Sequence, residues 1–255
     1  MYTQFAGCKR WFLNGVMIPS GDLPFRARVA AWRALYDASF KLGLVSLSAR
    51  FAARASTAQL SGRGIDRPSV VISGLGRSGK TILANRLSAR YGYQRFGTDH
   101  CLDYFFRITD DSQRLRFRER FYSSIVRRFP DGLVIEGDDF ILRNRVTYAK
   151  TNHPIDIGPA LTLSDRFGTE VFLLGNTKSP DELIAAFEVY SSGAECWTTS
   201  LRDVRKYALW LIRVSQTLRA LADGERIHYL EVDSIRFDEW IDATADMIAS
   251  RGCGS

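Results

Sequence analysis

Apolar residues in the last three quarters of the chain fall in short bursts that alternate with stretches of helical period. Val70–Ile72, Leu133–Ile135 and Val171–Leu174 are continuous apolar runs bounded by glycine, proline or polar residues, the pattern of strands buried on both faces. With Gln94–Gly97 and Arg226–Val232 they make five expected strands. Between them the period predicts helices over Thr81–Arg90, Asp111–Phe129, Leu201–Ala222 and Phe237–Ser250. In the first of these Ile82, Leu83 and Leu87 are expected to face inward, and Tyr91-Gly92 to end it. Ser179-Pro180-Asp181-Glu182 carries two helix-start signals, a capping box and a proline at the first helical position. Strands alternating with helices imply an α/β fold with a mostly parallel five-stranded sheet covered on both faces. Upstream, Phe25 to Ala55 reads as a helical stretch, with Val29, Trp32, Tyr36 and Phe40 on one face.

The chemistry concentrates in Gly74-Leu75-Gly76-Arg77-Ser78-Gly79-Lys80-Thr81, directly after an apolar strand and before a helix. Glycines at 74, 76 and 79 permit tight, left-handed backbone and close approach of N–H groups to phosphate oxygens. The helix that follows adds the partial positive charge of its N-terminus. Lys80 is then expected to bridge the outer phosphates of a nucleoside triphosphate, and the Thr81 hydroxyl to coordinate Mg2+.

On these residues the chain resembles the P-loop kinases of small molecules: adenylate, uridine, shikimate and gluconate kinases and their relatives. The resemblance spans about residues 69–250 in element order and is most specific in the glycine loop. It implies a three-layer P-loop NTPase fold, Mg2+ and ATP as cofactors, and transfer of a phosphoryl group to a hydroxyl or phosphate acceptor on a small molecule. It also implies roles for two acidic segments. Asp99, in Phe96-Gly97-Thr98-Asp99, matches the acid that many such kinases hold near the acceptor hydroxyl, with Asp103 the alternative one turn later. Gly132–Asp139 is an apolar strand ending in acids, and its Glu136-Gly137 is similar to the acid-glycine pair of uridine and adenylate kinases. Glu136 is the first choice for the metal, Asp138 the second, with Asp139 nearby.

Helices between the second and third strands line the acceptor pocket in that family. Arg114, Arg118 and Arg107 could grip an anionic acceptor there; the competing reading is an exposed basic face of an amphipathic helix. Arg143 and Arg145 follow the third strand without the family's spacing. Lid arginines that neutralise the transferring phosphoryl group correspond in element order to Ser191–Lys206, making Arg202 and Arg205 the candidates. The chain has no Asn-Lys-x-Asp guanine signature, which favours ATP as donor. Lys80 argues against a sulfotransferase.

Charge divides the chain further. Residues 1–68 hold ten Lys or Arg and three Asp, whereas the remainder holds 25 of each sign, so the pI near 9.4 belongs to the N-terminal quarter. The turn-rich Ser61–Pro68 is the expected linker, dividing a basic helical extension, 1–68, from a nucleotide-binding domain, 69–255. That extension could pack on the body, on a protein partner or on a membrane surface, and as a scaffold it would make the protein a nucleotide-dependent switch. A third reading is phosphorylation of a nucleic-acid end, which the neutral body disfavours. Four scattered cysteines (Cys8, Cys101, Cys196, Cys253) fit free thiols in the cytoplasm rather than disulfides or zinc.

Overall fold

A computed structural model describes residues 23–60, 65–76, 78–141, 155–191, 201–222, 226–233 and 235–251. The strands are β1 (Val70–Gly74), β2 (Gln94–Gly97), β3 (Leu133–Gly137), β4 (Glu170–Gly175) and β5 (Ile227–Glu231). The helices among the described residues are α1 (Leu23–Lys41), α2 (Val45–Ser56), α3 (Lys80–Tyr91), α4 (Leu102–Phe106), α5 (Asp111–Arg128), α6 (Gly158–Phe167), α7 (Pro180–Ser191), α8 (Leu201–Leu221) and α9 (Phe237–Arg251). A 3-10 turn, Thr98–Cys101, joins β2 to α4. Contacts divide the chain into two compact units, one of Met1–Gly62 with Asp99–Arg128 and the other of Arg63–Thr98 with Phe129–Ser255.

The second unit holds the sheet. All five strands are parallel, in the order β2-β3-β1-β4-β5. Of the three interior strands, β3 and β1 are buried at every position and β4 at all but its first, which is why they read as apolar runs. Val70, Ile72, Val134, Phe172 and Leu174 pack with Leu83 and Leu87 of α3 and Ile241, Ala245 and Ile248 of α9. The alternate residues Val71, Leu133, Ile135, Val171 and Leu173 are equally buried. Helices α3 and α9 thus share one core with the strands, while α6 and α8 pack on β4.

Local signals set the element ends. Gly92, at φ +77, terminates α3, as expected from Tyr91-Gly92. The capping box forms: the Ser179 N–H donates to Glu182 Oε2 at 2.9 Å and the Glu182 N–H to Ser179 Oγ at 3.3 Å. Two expectations need correction. Ile82 does not face inward; it is 46% exposed, because the turn that buries Leu83 and Ala84 rotates it to solvent. Helix α6 has no counterpart among the expected helices; its Pro159 stands in the first turn, where proline has no hydrogen bond to lose.

At the start of α9 the N–H groups of Ile235 and Arg236 donate to Asp233 Oδ1 at 3.0 and 3.1 Å, and Lys178 Nζ lies 3.3 Å away. The Arg236 amide first, then that of Ile235 and Lys178, hold the Asp233 carboxyl down at about 2. A depressed folded value means that the stabilisation is present above the ordinary carboxylate range and disappears as pH falls through about 2. Asp233→Asn is therefore expected to melt below the parent at pH 7. The gap should narrow as pH drops from about 4 towards 2, in melting curves taken across that range.

The other unit is helical. Gly43, at φ +70, ends α1 and turns the chain into α2, so the helical stretch expected over Phe25–Ala55 is two helices rather than one. Buried Ala49, Ala52, Ala53 and Ala55 give α2 the small faces that let α1 and α5 approach. An aromatic cluster fills the interior: Tyr36 meets Tyr104 edge-on at 4.7 Å, and Phe105 meets Phe117 and Phe121 at 5.6 and 5.4 Å. Thus Tyr36 of the expected stripe packs on α4 and α5, while Trp32 stacks on Phe51 of α2. The sequence reading gave those helices to the domain 69–255, whereas their aromatic faces join them to the N-terminal helices. This helical unit holds 15 Lys or Arg against seven Asp or Glu, and the rest of the chain 20 against 21, so the charge excess follows the contacts rather than the sequence boundary.

Candidate functional site

The glycine loop leaves β1 at the carboxyl edge of the parallel sheet, where the chain continues from β1 and from β4 toward opposite edges of the strand order. Gly74 has φ +154, and a Cβ there would lie 2.5 Å from the Leu174 carbonyl oxygen and 2.8 Å from Ser78 Oγ. Gly79 opens α3 at φ +82, and its missing Cβ leaves room for the Phe237 ring, which would otherwise sit 2.7 Å away. Each glycine is thus required by backbone conformation and by close approach together. No side chain caps α3, and the amides of a helix N-terminus suit an anion. Arg77 lies outside the described residues.

Within the loop Lys80 Nζ donates to the Leu75 carbonyl at 2.8 Å, and the Ser78 N–H donates to the same oxygen at 3.2 Å. The lysine is therefore folded back along its own loop, near where it would reach a phosphate. Gly76 is approached from α8, where the Tyr207 hydroxyl donates to its carbonyl at 3.4 Å.

The strand beside β1 supplies the acid. Register pairs Ile72 with Glu136 and Glu136 with Gly97, which sets a buried carboxylate at the carboxyl end of β3. Thr81 donates its hydroxyl to Glu136 Oε2 at 3.2 Å, while Arg95 of β2 pairs with Oε1 at 2.7 Å. Arg95 is held in turn by Asn85 Oδ1 at 2.9 Å. Gly137 is explained by its neighbour: a Cβ there would fall 1.8 Å from Thr98 Oγ1 and 2.8 Å from Thr98 Cβ. The acid-glycine pair thus combines a carboxylate aimed at the loop with a residue small enough to let β2's end pass.

Of the candidate metal ligands, Thr81 and Glu136 are in contact, and Asp138 and Asp139 are buried in the turn after β3. A threonine hydroxyl and a carboxylate are the hard oxygen donors that Mg2+ takes, with water and phosphate completing its shell. Asp99 is exposed in the 3-10 turn after β2, and Asp103 is exposed on α4.

The expected acceptor arginines are engaged differently. Arg114 donates through Nε and Nη2 to the Ile108 carbonyl at 3.0 and 2.5 Å and pairs with Asp111 at 2.7 Å, tying down the start of α5. Arg118 is buried, 6% exposed, which corrects the reading of an exposed basic face at this position. Arg107 pairs with Asp37 over the Tyr36 ring. Arg205 is exposed and pairs with Asp181 at 2.7 Å. The side chain of Arg202, residues 192–200, Arg143 and Arg145 lie outside the described residues.

Four participants escaped the sequence reading: Arg95, Thr98, Tyr207 and Phe237. Only Arg95 left a trace, as a cation within a short strand beside a strand that ends in acids. No protein-family model matches the chain, and no curated protein matches it.

Proposed function

We propose that the protein is a P-loop phosphotransferase that moves the terminal phosphoryl group of ATP to a hydroxyl or phosphate oxygen of a small molecule. The observation that carries this reading is the contact between Thr81 of α3, one residue past Lys80, and Glu136 at the end of β3. A phosphate loop needs only glycines and a lysine; the hydroxyl–carboxylate pair adds the oxygen donors of a metal-assisted transfer. Mg2+, when bound, neutralises charge on the outer phosphates.

The protein's own groups have separable tasks. Lys80 exchanges the Leu75 carbonyl for the outer phosphate oxygens, and the loop and α3 amides hold the rest of the triphosphate. Asp99, next in the chain after Thr98, accepts the proton as the acceptor oxygen bonds to the terminal phosphorus and the bond to the departing ADP oxygen breaks. Asp103 is the alternative acid, and Arg202 and Arg205 are the lid candidates. A cytoplasmic location belongs to the same proposal and rests on the scattered thiols, of which Cys101 is buried and in no disulfide. No helix among the described residues is long and apolar enough to cross a membrane.

Incubation with terminally labelled ATP, Mg2+ and a panel of metabolites tests the reading. Label is expected on one acceptor class, with loss of transfer when the metal is chelated. Tight ATP binding with slow hydrolysis and no labelled acceptor would reject the kinase in favour of a nucleotide-dependent switch.

A further inference from the structure

The helical unit contains a cleft of about 540 Å³, within the range of small-molecule sites, and its lining is dominated by one chemical group. Arg28 of α1, Arg50 and Arg54 of α2, and Arg127 and Arg128 of α5 all line it, together with Trp32. Among the described residues that line it, none is acidic. A second large cleft, at β5, mixes Lys178, Arg219 and Arg251 with Glu231, unlike the single-sign lining of the first.

Helix-end electrostatics explains part of this clustering, since Arg54, Arg127 and Arg128 occupy last turns, where cations oppose the helix dipole. It does not explain Arg28 or Arg50, nor why three helices direct guanidinium groups to one concavity. Arg50 and Arg54, four residues apart on one helix face, repel each other. Burial first, and then Arg54 and Arg28, push Arg128 below its ordinary value. Like charges have been gathered at some cost to the unit's stability, the arrangement expected where a ligand supplies the opposite charge.

Two of the five are held by neutral groups. Arg54 lies over the Trp32 ring, 4.7 Å from its centroid, and Trp32 stacks on Phe51 at 5.8 Å. Arg128 Nη1 donates to Thr57 Oγ1 at 3.2 Å, and that buried hydroxyl donates to the Ala53 carbonyl at 2.7 Å. The ring fixes the direction of the Arg54 guanidinium without cancelling its charge. Planar donor forks held in this way suit phosphate oxygens better than a point charge would. Trp32 is already engaged by Phe51 and Arg54, which disfavours nucleobase stacking as the means of recognition. A concave site also suits a compact anion better than the extended backbone of a nucleic acid.

We propose that this cleft binds a compact anion bearing several phosphate groups, at a site whose lining includes no residue of the glycine loop or of the strand-end acids. The inference does not depend on phosphotransfer by the sheet unit.

The test uses the full chain carrying Lys80→Ala, so that the glycine loop does not compete for the probe. Inorganic tripolyphosphate is titrated by calorimetry at physiological ionic strength. One saturable site is expected, weakened at least about tenfold by Arg54→Gln and by Arg128→Gln. Melting temperatures of the ligand-free variants should equal or exceed that of their background, because a repulsion has been removed. Arg50→Gln, on an exposed side chain, carries the same expectation should either variant fail to fold. Vesicles containing a phosphoinositide bisphosphate separate two sources of the anion. Vesicle binding that tripolyphosphate displaces places the phosphates on a lipid headgroup, and its absence assigns them to a free metabolite. Three results would overturn the proposal: no saturable binding, binding indifferent to all three substitutions, or tighter binding of a duplex oligonucleotide that tripolyphosphate does not displace.

Discussion

Lys80→Ala is expected to lower phosphoryl transfer by at least about 100-fold while leaving the fold in place. The asymmetry follows from what the ammonium touches with and without nucleotide. In the structure it donates to the Leu75 carbonyl, a neutral acceptor that keeps the Ser78 N–H when the ammonium is lost. Losing such a bond costs about 1 kcal/mol, or roughly 2–4 °C in melting temperature for a chain of this size. Against a triphosphate the same ammonium faces oxygens that gain charge during transfer, where one well-placed donor is worth about 3 kcal/mol or more. A readout that needs no known acceptor is the stabilisation given by Mg-ATP. The parent should melt progressively higher as nucleotide rises above its dissociation constant, and Lys80→Ala should respond far less. Equal responses in the two proteins would remove the glycine loop from nucleotide binding, whatever its sequence suggests.

Gly137→Ala should be the most damaging single methyl in the sheet unit. Its new Cβ would overlap Thr98 Oγ1 at 1.8 Å and crowd Thr98 Cγ2 and Cβ at 2.7 and 2.8 Å. Thr98 is fully buried, and a Cβ, unlike the end of a long side chain, moves only with its backbone. The relief must therefore come from β2 shifting against β3, where Gly97 registers with Glu136. Overpacking of this kind costs about 3 kcal/mol, equivalent to roughly 10 °C. It should also move Glu136 away from Thr81, so metal-dependent activity falls further than stability alone dictates. Thr98→Ala removes two of the three clashing atoms, and in the double variant it should recover part of the lost melting temperature. An unchanged melting temperature for Gly137→Ala alone would show that the strand ends are not packed as described.

What could be read in advance was local. The glycine loop announces itself because its requirements sit on consecutive residues: a strand before, a helix after, and glycines where backbone must turn. The capping box of Ser179 and Glu182 is legible for the same reason, both bonds closing within one turn. Arg118 was misjudged because the helical period identifies a face but not what covers it. The single helix expected over Phe25–Ala55 failed at Gly43, where one residue of left-handed backbone outweighs apolar spacing that continues on either side.

The sequence by itself determined the α/β alternation, the five parallel strands and the position of the glycine loop, because each rests on near-neighbour chemistry and on the periods of helix and strand. Tertiary structure alone decided that Arg95 shares Glu136 with Thr81, that Phe237 occupies the space beside Gly79, and that Thr98 requires Gly137 to be a glycine. It also decided that Asp99–Arg128 joins the N-terminal helices and gathers arginines from three helices around one cleft. These pairings join residues far apart in the chain. Nothing in the sequence around either partner specifies the other; shape and charge meet only once the strands take their order and the aromatic faces find one another.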